Sequence, residues 1–368
     1  MKKLSCFMIL LLAGSFPVLS QRVDKPTMSP TPCSDAQKTM ISQGVVLHDA
    51  KRYDDAIAKY QDVLKENPNC TNAMYELSMS LYVKGDTTKA METAYNGSKY
   101  KSDELPLFYL TMANILDDIG KGKEAQQIYI DGINILKDNK EMRPHLSSLH
   151  YNLGLSYRRQ KKEVEARAAM KQAIIANDRY ASPHLQLADI FYFGRYKVPA
   201  LLAAARFISL EYDTDRSKRA AAVIYNVLGS TSAQKGADNK IVIGLDFGAP
   251  TDEGDFGPAE LMMSMVDALG KSDDAKKKNQ TSEENFIDRL ASVIGFLDPT
   301  EKKLKSTFSS KAYFPFMLEM KRLGFVKPFG YIVLVHTGNK EAVNWIRNND
   351  KQVSDFLAWA KSYTAVIN

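Results

Sequence analysis

One small residue, recurring at a near-constant interval, sets the frame for this chain. A large apolar residue is followed nine residues later by alanine at Leu47/Ala56, Leu81/Ala90, Leu116/Ala125, Tyr157/Ala166 and Phe191/Ala200. The alanines stand 34, 35, 41 and 34 residues apart. Self-similarity at such a period means stacked supersecondary units, because one unit cannot bury its apolar face alone. Around each alanine, apolar residues recur at helical spacing. The unit therefore reads as two helices joined by a turn, with five copies between about residues 37 and 212.

The residue types resemble the tetratricopeptide repeat (TPR) family beyond the period. Unit four reads His150-x-x-Leu153-Gly154-x-x-Tyr157 before Ala166, against a family pattern of Trp-x-x-Leu-Gly-x-x-Tyr before Ala. Unit one has Gly44, Tyr60 and Pro68 at the matching offsets from Ala56. Units two, three and five give Met74-x-x-Leu77-Ser78-x-x-Leu81, Tyr109-x-x-Met112-Ala113-x-x-Leu116 and His184-x-x-Leu187-Ala188-x-x-Phe191. Gly85 and Gly120 fall in the turns between helices. Physically, Gly or Ala at the crossing lets the two helices approach, and the large residues fill the seam. The repeats divide as 37–70, 71–104, 106–139, 147–180 and 181–212. Two departures stand out. About seven extra residues around 137–143 imply a longer helix pair or a projecting loop. Pro199 beside Ala200 implies a helix starting near Val198.

The resemblance implies that first helices line an inner, concave face. Its positions are Ile41, Val45 and His48; Tyr75, Met79 and Tyr82; Leu110, Asn114 and Asp117; Tyr151, Leu155 and Arg158; Leu185, Asp189 and Tyr192. Such a surface suits an extended peptide or an amphipathic helix. From these come the expected partner-binding residues Tyr75, Met79, Tyr82, Leu110, Asn114, Tyr151, Leu155, Arg158, Asp189 and Tyr192. One subclass of the family clamps a C-terminal carboxylate with Lys, Asn and Arg. Here the matching positions hold Ile41, Val45, Glu76, Leu107 and Thr111, so that mode is disfavoured. The face either takes an external segment or packs against the C-terminal region.

The N-terminus reads as an address. Lys2 and Lys3 precede an apolar stretch from Met8 to Leu19, and Val18-Leu19-Ser20 supplies small residues before a cut at Gln21. This is the layout of a secretory signal peptide over 1–20, with an apolar core of about 12 residues, short for a membrane span. Its loss takes the net charge from +6 to +4, too little and too mixed for a polyanion binder. No other segment reaches 18 apolar residues, so no transmembrane segment is expected in the mature chain. Export would place Cys33 and Cys70 in an oxidising compartment. Each precedes the first helix of consecutive units, about 10 Å apart in a regular stack. They are either one disulfide or two separate thiols. The proline-rich segment 21–36 reads as a linker.

Beyond Tyr212 the register stops. Residues 213–240 read as a capping helix and linker. The remainder, 241–368, reads as a helical domain that matches no named family. IVIGLD at 241–246 suggests a short strand. Helices are expected over about 258–269, 281–297, 300–308, 311–337, 340–348 and 350–364, with Gly324, Pro328 and Gly330 as breakers of the fourth. Trp345 and Trp359 should anchor packing.

Catalytic and metal motifs are weak. His150 and His184 occupy the seam position where the family places an aromatic, which favours packing over metal. The acidic loop around Asp252-Glu253-Gly254-Asp255 lacks EF-hand spacing and reads as solvated. No G-x-S-x-G elbow is present. The expectation is an all-α TPR solenoid of about five repeats followed by a smaller mainly helical domain, without cofactor or metal. Its work would be non-catalytic: a scaffold or adaptor in the cell envelope, periplasmic or extracellular, binding a protein or peptide and not nucleic acid. The alternatives are an enzyme or ligand-binding module in the C-terminal domain, or a structural envelope subunit.

Overall fold

A computed structural model describes residues 23–229, 234–235, 241–242, 250–254, 256–270, 280–297, 306–365 and 367. The leader expected over 1–20, its cleavage point and most of the helix expected over 300–308 lie outside these residues. The fold is all-α, a series of helix-turn-helix repeats followed by a smaller, mainly helical region. The chain divides into two compact units, up to Asp138 and from Asn139 onward. Among the described residues, no helix is long and apolar enough to cross a membrane.

The first unit holds three hairpins: α1 (Asp35–Asp49) with α2 (Tyr53–Glu66), α3 (Thr71–Lys84) with α4 (Thr87–Gly97), and α5 (Leu105–Asp118) with α6 (Gly122–Leu136). A capping box starts α1, with Ser34 and Gln37 satisfying each other's backbone N–H groups. The repeated alanines Ala56, Ala90 and Ala125 are fully buried at the crossings. Gly44 lies against the buried Tyr60 ring, where a Cβ would stand 2.4 Å from a ring carbon. Only glycine permits that approach.

Each hairpin turn places one residue in the left-handed region, five positions before its alanine. Gly85 and Gly120 fill this place in two hairpins. Lys51, Lys161 and Arg195 fill it in the others, at φ of 60°, 59° and 67°. Left-handed geometry at a residue with a Cβ costs about 1–2 kcal/mol, so tertiary packing enforces the turn at these three.

Residues 23–33, expected as a linker, are instead an ordered strap. Thr27 and Met28 donate to the Lys99 carbonyl, Lys101 donates back to Met28, and Thr31 donates to Asn69. The Asn67 amide reaches the carbonyls of Thr31 and Pro32. Cys33 and Cys70 are bonded, with Cα atoms 5.6 Å apart. The strap brings Cys33 within reach, closing the gap that a regular stack would leave.

The second unit opens with a 3₁₀ turn, Lys140–Met142, running into α7 (Arg143–Arg159). The extra residues thus become that turn and a 17-residue first helix, longer than the 14 residues of α3 and α5. α8 (Glu163–Ala176), α9 (Ala181–Phe193), α10 (Lys197–Leu210) and α11 (Asp215–Gly229) follow. A two-residue antiparallel pair, β1 (Gln234–Lys235) with β2 (Ile241–Val242), precedes α12 (Gly257–Gly270) and α13 (Ser282–Phe296). The helix expected over 311–337 is three: α14 (Phe308–Ala312), α15 (Phe314–Arg322) and α16 (Val326–His336). Gly324, at φ 74°, ends α15, whereas Pro328 sits harmlessly in the first turn of α16. The β-rich run Gly330–His336 is helical because Gly330–Leu334 is buried there; propensity yields to packing. α17 (Lys340–Asn348) and α18 (Asp350–Ser362) close the fold. Trp345 stacks on Tyr331 at 4.0 Å, and Trp359 on Phe316 at 5.0 Å.

Candidate partner-binding face

In the first unit, the half-open stripe of α3 carries Tyr75, Glu76, Met79 and Tyr82 at helical spacing, beside Leu110 and Asn114 of α5. All six are half-buried. Tyr75 meets Phe108 edge-on at 6.2 Å, and burial raises its pKa. The Tyr82 hydroxyl donates to Asp118. The Met79 sulfur accepts from Thr111, and Asn114 accepts from the Tyr129 hydroxyl at 2.6 Å. Tyr75, Met79, Tyr82 and Asn114 thus each have a neighbour that fixes part of the side chain, and all four stay partly exposed. A cleft of about 600 Å³ lies toward the N-terminal ends of the first helices, between the strap (Pro30–Cys33), Ile41 and Ser42 of α1, and Asn72 of α3.

In the second unit, Tyr151, Leu155, Arg158 and Tyr192 are also half-buried. Tyr151 meets Tyr180 edge-on at 5.2 Å. Arg158 donates to Gln186 and lies 4.0 Å from Glu163. Asp189 departs from expectation. It is buried, and Arg219 of α11 covers it with contacts of 2.9 and 2.7 Å, so it faces the next helix rather than a partner. Burial raises its pKa, while Arg219 and Arg158 oppose the rise. Nothing in the repeat register distinguishes a face position that a capping helix covers from one left open.

The C-terminal region bonds chiefly to the second helices. Arg167 and Lys171 of α8 pair with Asp252 and Glu253, and Lys197 of α10 pairs with Glu260 at 3.3 Å. The loop expected to be solvated is therefore a docking segment, with Glu253 buried and also accepting from Ser309. Arg206 of α10 is fully buried. It donates to Asp178 and to the carbonyls of Ala360 and Tyr363, and its guanidinium faces the rings of Phe316 and Tyr363. Asp178 also accepts from the Ala365 backbone at 2.7 Å. His184 fills the seam as a packed residue. Its Nε2 donates to the Asp178 carbonyl at 2.8 Å, leaving Nδ1 to accept from the Tyr313 hydroxyl at 3.2 Å. Burial lowers its pKa to about 3, and that of His150 to about 4. Among the described residues no group of three His, Cys, Asp or Glu is placed to hold a metal.

Comparison with known proteins agrees with the repeat geometry. Residues 42–104 match the family model described as tetratricopeptide repeat. A thermophilic TPR protein of Thermus thermophilus covers 51% of this chain and 99% of its own, with TM-score 0.41 and 22% identity. Pseudomonas aeruginosa PilF covers 52% and 92%, with TM-score 0.40 and 18% identity. YrrB, described as a TPR protein with an unusual peptide-binding site, covers 50% and 90%, with TM-score 0.36 and 13% identity. No curated protein matches the chain. Repeats of this kind serve as protein–protein interaction scaffolds, generally without catalysis of their own. Residues 42–104 are thus matched as tetratricopeptide repeats, and the three hairpins that follow keep the same register.

Proposed function

We propose that this chain is an exported adaptor that holds a peptide or helical segment of a protein partner along its first-helix face. The observation that carries the reading is the half-open run of Tyr75, Met79, Tyr82, Leu110 and Asn114 across α3 and α5. Tyrosines bring large contact area at small entropic cost, and here Tyr75 packs on Phe108 while Tyr82 donates to Asp118. Within the second unit the C-terminal region bonds to α8 and α10, which supports a first-helix face there left open for a partner. Export is supported by the leader-like start and by the Cys33–Cys70 bond, which persists in oxidising compartments such as the periplasm or outside the cell.

The test is a pull-down from envelope extract with the mature chain and with Tyr75→Ala, Tyr82→Ala and Tyr151→Ala combined. Recovery of a partner should fall about tenfold or more, as expected for loss of anchor residues. Equal recovery by the triple variant would remove the face as the binding surface. N-terminal sequencing of the chain from its native host should begin at Gln21.

A further inference from the structure

One side chain on the first-helix face of the first unit is electrostatically unmatched. Glu76 lies midway along the half-open stripe of α3, between Tyr75 and Met79. In the same register α1 carries Ser42 and α5 carries Thr111. Both are occupied locally: Ser42 donates to the Lys38 carbonyl, and Thr111 donates to the Leu107 carbonyl, with the Met79 sulfur as its alternative acceptor. Glu76 is thus the only ionisable group in its row. Among the described residues it has neither a hydrogen-bond donor nor a cation partner. The charges it does feel are Asp49 and Glu104, both of its own sign, and together with burial they raise its pKa. A half-buried carboxylate without a partner is costly, and a cation arriving from outside recovers that cost.

We propose that Glu76 recognises a lysine or arginine side chain of the bound segment, whose apolar neighbours rest on Tyr75, Met79 and Leu110. The proposal rests on the first-helix face being the binding surface and adds the chemistry of what it selects. The logic is charge complementarity: tyrosine and aliphatic contacts supply area, while one desolvated carboxylate among them fixes register and rejects acidic segments. A basic side chain with a long apolar stem suits the place, because its methylenes lie along the aromatic and thioether surface while its head reaches the carboxylate.

Panning random twelve-residue peptides on the immobilised full chain tests this. Recovered peptides should carry Lys or Arg at a fixed spacing from an aromatic or aliphatic residue. Replacing that base by norleucine or citrulline should weaken binding to the wild type about tenfold, and to Glu76→Gln by less than about twofold. Glu76→Gln keeps the shape of the side chain, and an unchanged thermal melt would confirm that it folds. Peptides without a basic preference, or an equal loss on Glu76→Gln, overturn the selection by charge. Peptides that bind Tyr75→Ala/Tyr82→Ala as well as wild type overturn the face itself, and recovery of no peptide overturns both.

Discussion

α4 and α10 are the same helix of the repeat, yet they are buried to very different extents. In α4 only Ala90, Met91, Ala94 and Gly97 are buried, one stripe facing its own hairpin and the next. In α10 every residue from Val198 to Ser209 is buried. A helix apolar around its whole circumference needs cover on every side. The sequence VPALLAAARFISL already carries that requirement, whereas TTKAMETAYNG has a polar outer side. The difference shows how the two units are stabilised. The first relies on hairpin-to-hairpin packing and a disulfide-held strap. The second relies on a C-terminal region that closes over α10.

The largest expected effect separates these helices at one equivalent position. Arg206 and Asn96 each stand six residues after the repeat alanine. Arg206→Ala leaves Asp178 buried without its cation and should cost about 3–5 kcal/mol. Asn96 is exposed, and Asn96→Ala should stay within about 0.5 kcal/mol. Urea unfolding of both variants checks the contrast, and equal losses would dissolve the distinction drawn between the helices.

The disulfide comes next. Cys33 and Cys70 are separated by 37 residues, so Cys33→Ser with Cys70→Ser should destabilise the first unit by about 3–4 kcal/mol. Protease cleavage within 23–66 should appear in that variant before cleavage in the second unit.

Acid provides the smallest and most selective perturbation. His184 is held neutral by burial, with its pKa near about 3 against an ordinary 6.5. Between those values the unfolded chain takes up a proton that the folded chain refuses. Stability is therefore complete above about pH 6.5 and falls as pH drops, by about 2 kcal/mol at pH 5. His184→Gln should flatten this part of the pH profile, measured as unfolding midpoints between pH 7 and 5. His150, lowered to about 4, adds in the same direction and also belongs to the second unit.

What could be read from the sequence follows from the range of the forces involved. The alanines, Gly44, Gly154 and the seam residues obey a local period, so the hairpins and the stripe Tyr75-Met79-Tyr82 were readable. The left-handed turns were readable where glycine marks them, at Gly85 and Gly120. They were hidden at Lys51, Lys161 and Arg195, where packing overrides residue preference. The strap looked like a linker because its order comes from carbonyls of Asn69 and Lys99, far along the chain and without a pattern. The burial of Asp189 and the pairing of Glu253 likewise depend on distant cations, Arg219 and Lys171. Glu76 was visible only as the wrong residue for a carboxylate clamp. Its isolation became meaningful once Ser42 and Thr111 were seen to be satisfied.

The Cys33–Cys70 bond also decides how tension enters the first unit. Both α1 and α2 lie inside the loop it closes. A pull on the N-terminal strap passes through the sulfurs straight to the start of α3, bypassing the first hairpin. That hairpin stays slack while its neighbours are loaded, and only cutting the bond puts it in line with the force.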